Sequence, residues 1–253
     1  MKSVQFQFAG ALFAELTIGI SGCVLIWALH IPWTMMLAVR NPAFTFGWGT
    51  IAAVLEFLIM VGVLYALPEK VRNWEWGNEN KRFQAFHNRL NTAQEIVLMA
   101  VTAVGEELFF RGAIQSLAFE LWSSPGLAIG AATLIFALFH SRFVRKPVLL
   151  SSGIIGGILL GWLFWWTGNI WASVWAHFLF NMALVVVAKI ATRRWSAPGS
   201  GEAPLGESVS PTDREMDVFD SGRFKWRGQG LRILVAFLLG FAVTLVAGLV
   251  LVR

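Results

Sequence analysis

The sequence predicts an all-α protein, a bundle of about seven transmembrane helices. Of its 253 residues, 57% are hydrophobic and only 14% are charged, whereas about 25% of the residues of soluble proteins are charged. The chain contains 13 Trp and 21 Phe but a single Tyr, and Trp is favoured where the hydrocarbon core of a bilayer meets the headgroups. The composition therefore excludes an ordinary soluble domain.

Apolar runs long enough to cross a membrane recur along the chain. A bilayer requires about 20 apolar residues per helical span. The predicted spans are 8–30, 49–67, 93–121, 125–141, 148–167, 170–192 and 231–252.

Lys and Arg concentrate in three loops between these spans, at 68–92, 142–146 and 193–230. Cytoplasmic loops of membrane proteins carry an excess of Lys and Arg, and a seven-span chain with a cytoplasmic N-terminus places all three loops in the cytoplasm. This arrangement accounts for the net charge of +5. No basic stripe is interleaved with exposed aromatic residues, so no nucleic-acid partner is expected. The chain is expected to be a multi-pass integral membrane protein, in the inner membrane if its source is bacterial.

Composition divides the chain into four parts. Residues 1–92 carry the N-terminal membrane helices and a basic surface segment, 93–192 the central core, 193–230 a flexible cytoplasmic linker, and 231–253 the last membrane helix. The linker is inferred from a stretch rich in Pro, Gly, Ser and acidic residues without apolar periodicity. Because the chain has one cysteine, an intramolecular disulfide is excluded.

Three glycines, Gly153, Gly157 and Gly161, are spaced four residues apart in the fifth predicted span. Small residues at this spacing let a second helix backbone approach closely. Packing against another helix of the same chain is the expected use, and a homodimer formed through this face is the alternative.

Charged residues inside an apolar run are the strongest functional signal. Glu106, Glu107 and Arg111 lie in the third predicted span, where each charge costs about 2.5–3.5 kcal/mol on insertion scales. Glu107 and Arg111 are four residues apart and can pair on one helix face, whereas Glu106 points about 100° away from Glu107. We therefore expect the pair to be structural and Glu106 to be available for chemistry.

Two further spans offer polar side chains. His140 ends the fourth span, and His177 and Asn181 share a helix face in the sixth. A carboxylate can take a proton from water that a His orients, and a second His with an Asn amide can donate to a developing oxyanion. Together, Glu106, His140, His177 and Asn181 could catalyse hydrolysis of a peptide bond. Glu106, His140 and His177 could instead bind one zinc ion, although the helical H-E-x-x-H zinc motif is absent.

These residues form three short motifs in order along the chain. They read Glu106-Glu107-Leu-Phe-Phe-Arg111, Phe136-Ala-Leu-Phe-His140 and His177-Phe-Leu-Phe-Asn181. In this the chain resembles the CAAX-protease and bacteriocin-processing family (the Abi family) of intramembrane endopeptidases, which is marked by E-E-x-x-x-R, F-x-x-x-H and H-x-x-x-[NB] on successive membrane helices. The similarity covers about residues 93–192.

The resemblance implies an all-helical fold with an active site among the central helices that opens toward the cytoplasm. By analogy, Glu106 is the general base and His140 its partner on the attacking water, while His177 and Asn181 stabilise the oxyanion. The Glu–Arg pair of the first motif would hold the helix geometry. The family is classed among metalloproteases, whereas a glutamate mechanism without a metal is also attributed to it. The metal-free form is favoured here, with one zinc ion as the alternative.

The expected function is therefore endopeptidase activity within the membrane. The substrate would be a peptide or the C-terminal tail of a protein, prenylated or not, that enters from the cytoplasmic or membrane side. One alternative is a membrane protein that binds a partner or confers bacteriocin immunity without turnover. Another is a small proton-coupled transporter, for which the expected inverted repeats are not evident.

The sequence also predicts the surroundings of three other polar residues. Glu56 falls inside the second predicted span and is expected to pair with a buried donor or to line the substrate path. His87 is expected on a solvated face of the basic surface segment. Glu95 lies near a predicted helix end, where its carboxylate can reach water or headgroups.

Overall fold

A computed structural model describes residues 2–39, 41–66, 68, 83–140 and 147–195. The regular secondary structure of these residues is helical throughout, which confirms the all-α prediction. The chain divides into two compact units, Met1–Ala191 and Thr192–Arg253, and the first contains all the candidate site residues. The predicted span 231–252, the linker from residue 196 onward, and most of the basic residues of the three loops lie outside the described residues.

The described helices follow the predicted spans closely. A short helical stretch at 83–87 precedes α4, and α4, the π-helical segment and α5 are continuous because the residues that join them keep right-handed helical angles. The elements are α1 (Lys2–Ala28), α2 (Trp33–Leu37), α3 (Pro42–Ala66), α4 (Thr92–Glu107), a π-helical segment (Leu108–Gln115), α5 (Ser116–Trp122), α6 (Pro125–Phe139), α7 (Pro147–Thr167) and α8 (Ile170–Trp195).

Four of the described helices are long and apolar enough to cross a membrane. They contain the candidate spans Val4–Ala28, Pro42–Val63, Leu150–Thr167 and Ile170–Ile190. Large apolar side chains on these helices are exposed rather than buried; Phe13, for example, is 73% exposed. Soluble proteins rarely expose wide apolar surfaces, so the chain is a membrane protein. The number of crossings and the cytoplasmic N-terminus remain predictions.

Local capping signals separate the two predicted spans in the middle of the chain. Ser123 takes a left-handed conformation with φ 49° at the end of α5. The side chain of Ser124 then accepts a hydrogen bond from the backbone of Leu127, and Pro125 occupies the first turn of α6. A residue in the left-handed conformation commonly ends a helix. A Ser at the N-cap followed by Pro commonly begins one, so the chain turns sharply between α5 and α6.

The π-helical segment lies at the centre of the bundle, in contact with α1, α6 and α7. Arg111 donates to the carbonyl of Gly157 at 3.2 Å, and Gln115 donates to the carbonyl of Gly161 at 2.8 Å. A Cβ atom at Gly157 would lie 2.7 Å from the Thr133 methyl group of α6. Gly157 and Gly161 of the glycine stripe thus serve helix packing inside this chain. The homodimer through the same face remains a prediction, and these contacts give it no support.

Helix α1 packs against the same segment through Gly22. A Cβ atom there would lie 2.7 Å from the backbone nitrogen of Phe109 and 2.8 Å from the carbonyl carbon of Leu108. Since backbone atoms cannot move aside as a side chain can, we expect Gly22→Ala to lower the free energy of unfolding by about 1–3 kcal/mol. Unfolding in detergent micelles measures this difference.

The matched control for that substitution is Gly10→Ala in the same helix, where an added Cβ meets nothing within 4 Å. It should be neutral or should stabilise the protein by up to about 1 kcal/mol, because Ala favours helix more than Gly. Equal effects of the two substitutions would contradict the close approach of α1.

Candidate active site

Glu106 is the centre of the candidate site. It lies in the last turn of α4 and is 5% exposed. Its carboxylate faces two imidazoles from different helices, with Oε1 3.7 Å from His140 Nε2 and Oε2 3.8 Å from His177 Nε2. Helices α4 and α8 and the C-terminal end of α6 therefore bring together the three side chains that the sequence singled out.

Glu107 links Arg111 to His177 within the site. Its Oε1 accepts a hydrogen bond from Arg111 Nη1 at 3.1 Å and lies 2.9 Å from His177 Nδ1. Glu107 and Arg111 are 0% and 1% exposed, and their pairing was predicted from the four-residue spacing. The contact with His177 was not predicted. Because a carboxylate accepts the Nδ1 proton, Glu107 directs His177 Nε2 toward Glu106.

The first two motifs also touch each other. The Arg111 guanidinium lies 5.5 Å from the centroid of the Phe136 ring, and the Phe136 ring lies 4.4 Å from that of His140. Arg111 belongs to the π-helical segment, a widened helix that is frequent at functional sites. A prediction that assumes 3.6 residues per turn contains no signal for such a segment.

His140 occupies the C-cap of α6, where the backbone leaves the helix. Its Nδ1 lies 3.0 Å from the carbonyl oxygen of Phe136, so Nδ1 carries the proton that is donated to that carbonyl. Its Nε2 faces Glu106 Oε1 at 3.7 Å. The side chain is 21% exposed, more than Glu106 or His177, and it marks the accessible end of the site.

Asn181 lies one turn after His177 on α8 and is half-buried. The hydrogen bonds described around Glu106 and Glu107 do not include its amide. Its predicted role at an oxyanion remains a prediction.

The described residues contain no group of three or more His, Cys, Asp or Glu side chains placed to hold a metal ion. Each imidazole Nε2 faces a different oxygen of Glu106, and His177 Nδ1 is already bonded to Glu107. The bond to Glu107 leaves Nε2 as the ring nitrogen of His177 that faces Glu106, and binding of one zinc ion by Glu106, His140 and His177 stays an alternative prediction.

A second buried polar cluster joins the segment 83–90 to α4 and α8. His87 and Glu95 are 4% and 1% exposed, with His87 Nδ1 2.7 Å from Glu95 Oε2. Lys189 Nζ lies 3.0 Å from Glu95 Oε1 and donates to the carbonyl of Leu90 at 3.1 Å. The expectations of a solvated His87 and a water-exposed Glu95 were wrong, because each side chain supplies the partner that lets the other be buried.

This cluster should make the packing of residues 83–90 against α4 and α8, here called docking, depend on pH. Burial lowers the pKa of His87 below its usual value of 6.5, an effect that its hydrogen bond to Glu95 opposes. The docked state therefore favours the neutral ring, and docking is complete above about pH 6.5. As the pH falls below that value, the undocked segment takes up a proton and docking weakens.

The pH dependence of docking is measured by hydrogen exchange of the amides of residues 83–90 between pH 8 and pH 5, corrected for intrinsic exchange rates. Protection should fall toward pH 5 in the wild type, and the decline should flatten in His87→Gln. An equal decline in both proteins would assign the pH dependence to another group.

Comparison with known proteins finds relatives for the part of the chain that contains the three motifs. Residues 88–183 match the family model described as type II CAAX prenyl endopeptidase Rce1-like, and this stretch contains all three motifs. A curated relative, the uncharacterized protein YpbD of Bacillus subtilis (strain 168), is 29% identical over 134 residues, which is 53% of this chain and 64% of the relative. The match thus covers less than two thirds of that relative. No solved structure matches significantly. Over residues 88–183 the chain is similar to the Rce1-like family, as the resemblance of its motifs predicts.

Proposed function

We propose that this protein is an intramembrane endopeptidase in which Glu106 activates the attacking water. The observation that carries the proposal is a buried carboxylate with one imidazole 3.7 Å and another 3.8 Å from its two oxygens. The family whose model matches this part of the chain is described as an endopeptidase family, which supports the same chemistry.

The gap between Glu106 and His140 suits a water molecule. Glu106 Oε1 and His140 Nε2 lie 3.7 Å apart. In the proposed reactive state the His140 ring is neutral with its one proton on Nδ1, which faces the Phe136 carbonyl, so that Glu106 Oε1 and His140 Nε2 both accept. A water that donates to both would bridge such a distance. In the proposed step its oxygen attacks the peptide carbonyl carbon and Glu106 takes its proton. Glu106 then passes the proton to the leaving amine as the C–N bond breaks.

His177 is the proposed donor to the oxyanion, together with the Asn181 amide. Because His177 gives its Nδ1 proton to Glu107, Nε2 can donate only when the ring is protonated. Carboxylates flank both ring nitrogens, Glu107 at Nδ1 and Glu106 at Nε2. A positively charged donor would stabilise the negative charge that develops on the carbonyl oxygen.

The proposed substrate is a peptide or the C-terminal tail of a protein, with or without a prenyl group. It would enter from the cytoplasmic or membrane side, because the more exposed His140 lies at the end of α6 that leads into the basic loop 142–146. That loop is cytoplasmic in the predicted topology. The bilayer, the inner membrane if the source is bacterial, would hold the substrate-binding helices in place.

Cleavage of a quenched peptide library by the purified protein in detergent tests the proposal. The wild type should cleave at least one peptide, and His140→Asn should be slower by about 10²-fold or more. The matched control is His30→Asn, which also replaces a His near a helix end but lies outside the site; Asn tolerates the φ of 53° found there. This control should retain full activity.

A zinc chelator added to the same assay separates the two mechanisms. Unchanged cleavage supports the metal-free form, and loss of cleavage that zinc restores supports a zinc enzyme. If folded, monodisperse wild-type protein cleaves no peptide, the endopeptidase proposal fails. A partner-binding or bacteriocin-immunity protein, or a proton-coupled transporter, would then replace it.

A further inference from the structure

Gln115 is a buried polar side chain that belongs to none of the three motifs. It ends the π-helical segment and is 4% exposed. Its Nε2 donates to the carbonyl of Gly161 on α7 at 2.8 Å, and its Oε1 has no hydrogen-bond partner among the described residues. Burying an amide is costly unless its hydrogen bonds are made, so a buried amide held by this bond calls for an explanation.

Gln115 and Arg111 make two successive contacts with α7. Arg111 Nη2 donates to the carbonyl of Gly157 at 3.2 Å, and the bond from Gln115 to Gly161 follows four residues later on each side. Four residues of an α-helix span about 6 Å, so the π-helical segment is held to α7 at two points about that far apart. One bond would allow the segment to pivot about it, whereas two bonds fix its rotation.

The absence of a side chain at Gly161 allows the amide to lie against the α7 backbone. A Cβ atom there would lie 2.9 Å from Gln115 Oε1 and 3.0 Å from Cγ2 of Ile129 on α6. Because the end of a flexible side chain moves more easily than a packed helix, an added methyl group would displace the amide from the carbonyl to which it donates.

The widened turn of the π-helical segment brings Gln115 onto the face that meets α7. Gln115 is eight residues after Glu107, and on a regular α-helix it would point about 80° away from Glu107. The i→i+5 bonds of a π turn take up one more residue than those of an α turn, which reduces this angle to about 20°. Ser116 has the same spacing, since its hydroxyl donates to the Arg111 carbonyl five residues earlier at 3.2 Å.

The face shared by Glu107, Arg111 and Gln115 leads to the candidate site. Arg111 Nη1 donates to Glu107 Oε1 at 3.1 Å, and the same oxygen lies 2.9 Å from His177 Nδ1. If the segment returned to regular α-helix, Glu107 and Gln115 would point to different sides, and their bonds to α8 and α7 would not both be kept. π turns are rare, so this one requires contacts that hold it.

We propose that Gln115 is a positioning residue of the site, whose hydrogen bond to Gly161 holds the helix register in which Arg111 and Glu107 direct His177 toward Glu106. The inference rests on the proposed endopeptidase function and adds to it a residue outside the motifs. Gln115 acts through Arg111 and Glu107 and does not touch the reacting atoms. Its loss should therefore lower kcat and leave KM nearly unchanged, because a small misplacement of reacting groups can cost about 10²-fold in rate.

The substitution Gln115→Met tests the kinetic part, since Met keeps the length of the side chain and removes the amide. On a peptide that the wild type cleaves, kcat should fall by about 10- to 100-fold with KM within about twofold. The matched control is Gln5→Met at an exposed position of α1, which should keep both constants. A folded Gln115→Met protein with kcat within about threefold of the wild type overturns the proposal.

Nitrogen-15 NMR of histidine-labelled protein at one fixed pH tests the structural part without any cleavage. The chain contains four His, and the signals of His177 are those that are lost in His177→Asn. Because its Nδ1 lies 2.9 Å from Glu107, these signals should shift in Gln115→Met and stay unchanged in Gln5→Met. A folded Gln115→Met protein with wild-type His177 signals overturns the proposal, since Gln115 would then only stabilise the fold.

Gly161→Ala disturbs the same hydrogen bond from α7 and covers the case in which Gln115→Met fails to fold. It should lower kcat and shift the His177 signals in the same way. Its control is Gly130→Ala on α6, where an added Cβ meets nothing within 4 Å. A folded Gly161→Ala protein with wild-type kcat and signals overturns the proposal. If the wild type cleaves no peptide, the endopeptidase proposal fails, and the His177 signals alone decide whether Gln115 positions the site.

Discussion

Replacing Glu106 with Gln should abolish peptide cleavage while the folded protein is retained. Gln keeps the size of the side chain and can still face His140 and His177, which lie 3.7 Å and 3.8 Å from the carboxylate oxygens. It cannot accept a proton from water, and a general base contributes about 10²–10⁴-fold to the rate. We expect kcat to fall by that factor, measured on any peptide that the wild type cleaves.

Two controls separate lost chemistry from lost structure. Glu120→Gln makes the same change at an exposed position on α5 and should leave both kcat and the unfolding midpoint unchanged. The unfolding midpoint of Glu106→Gln should be equal to or above that of the wild type, because a buried carboxylate becomes neutral. A Glu106→Gln protein with kcat within about tenfold of the wild type would show that another group is the base.

Glu107→Ala should cause the largest loss of stability among the site variants. It would leave the guanidinium of Arg111 without its carboxylate, and Arg111 is 1% exposed. Breaking a buried ion pair by removal of one partner costs about 3–5 kcal/mol. It would also remove the acceptor for His177 Nδ1 at 2.9 Å. The unfolding midpoint in detergent and the accumulation of the protein in membranes both measure this loss.

The double variant Glu107→Leu with Arg111→Leu tests the reason for that loss. Replacing both members of a buried pair with apolar side chains is often neutral, so stability should recover relative to Glu107→Ala. Cleavage should not recover, because His177 would still lack the carboxylate that directs Nε2 toward Glu106. If the double variant is as unstable as Glu107→Ala, the unpaired charge is not the cause. If it is stable and active, Glu107 does not orient His177.

Several features of the protein follow from local sequence pattern. The apolar runs predict the helices, because a backbone in lipid must satisfy its own hydrogen bonds. The spacing of Glu107 and Arg111 predicts their contact, because residues four apart lie on one helix face. The order of the three motifs predicts that Glu106 and His140 are site residues, and all three motifs lie within residues 88–183, which match the family model.

The tertiary structure decided how these helices meet. Glu107 and His177 are 70 residues apart, and no periodicity within either helix indicates that they share a hydrogen bond. The π-helical segment at 108–115 contacts α1, α6 and α7, and the residue spacing within it does not indicate a widened turn. The burial of His87 depends on Glu95, which is contributed by a different helix. Each of these contacts joins separate elements.

The physical reason is that periodicity determines only which side chains share a face of one helix. It does not determine which face packs against which neighbour, at what depth or with what rotation. Glu56 shows the difference, since its place in an apolar run predicts burial but not its contact with Gly156 or its cavity beside α7. The sequence by itself determined the helices and the chemistry they carry, and packing decided which groups face one another.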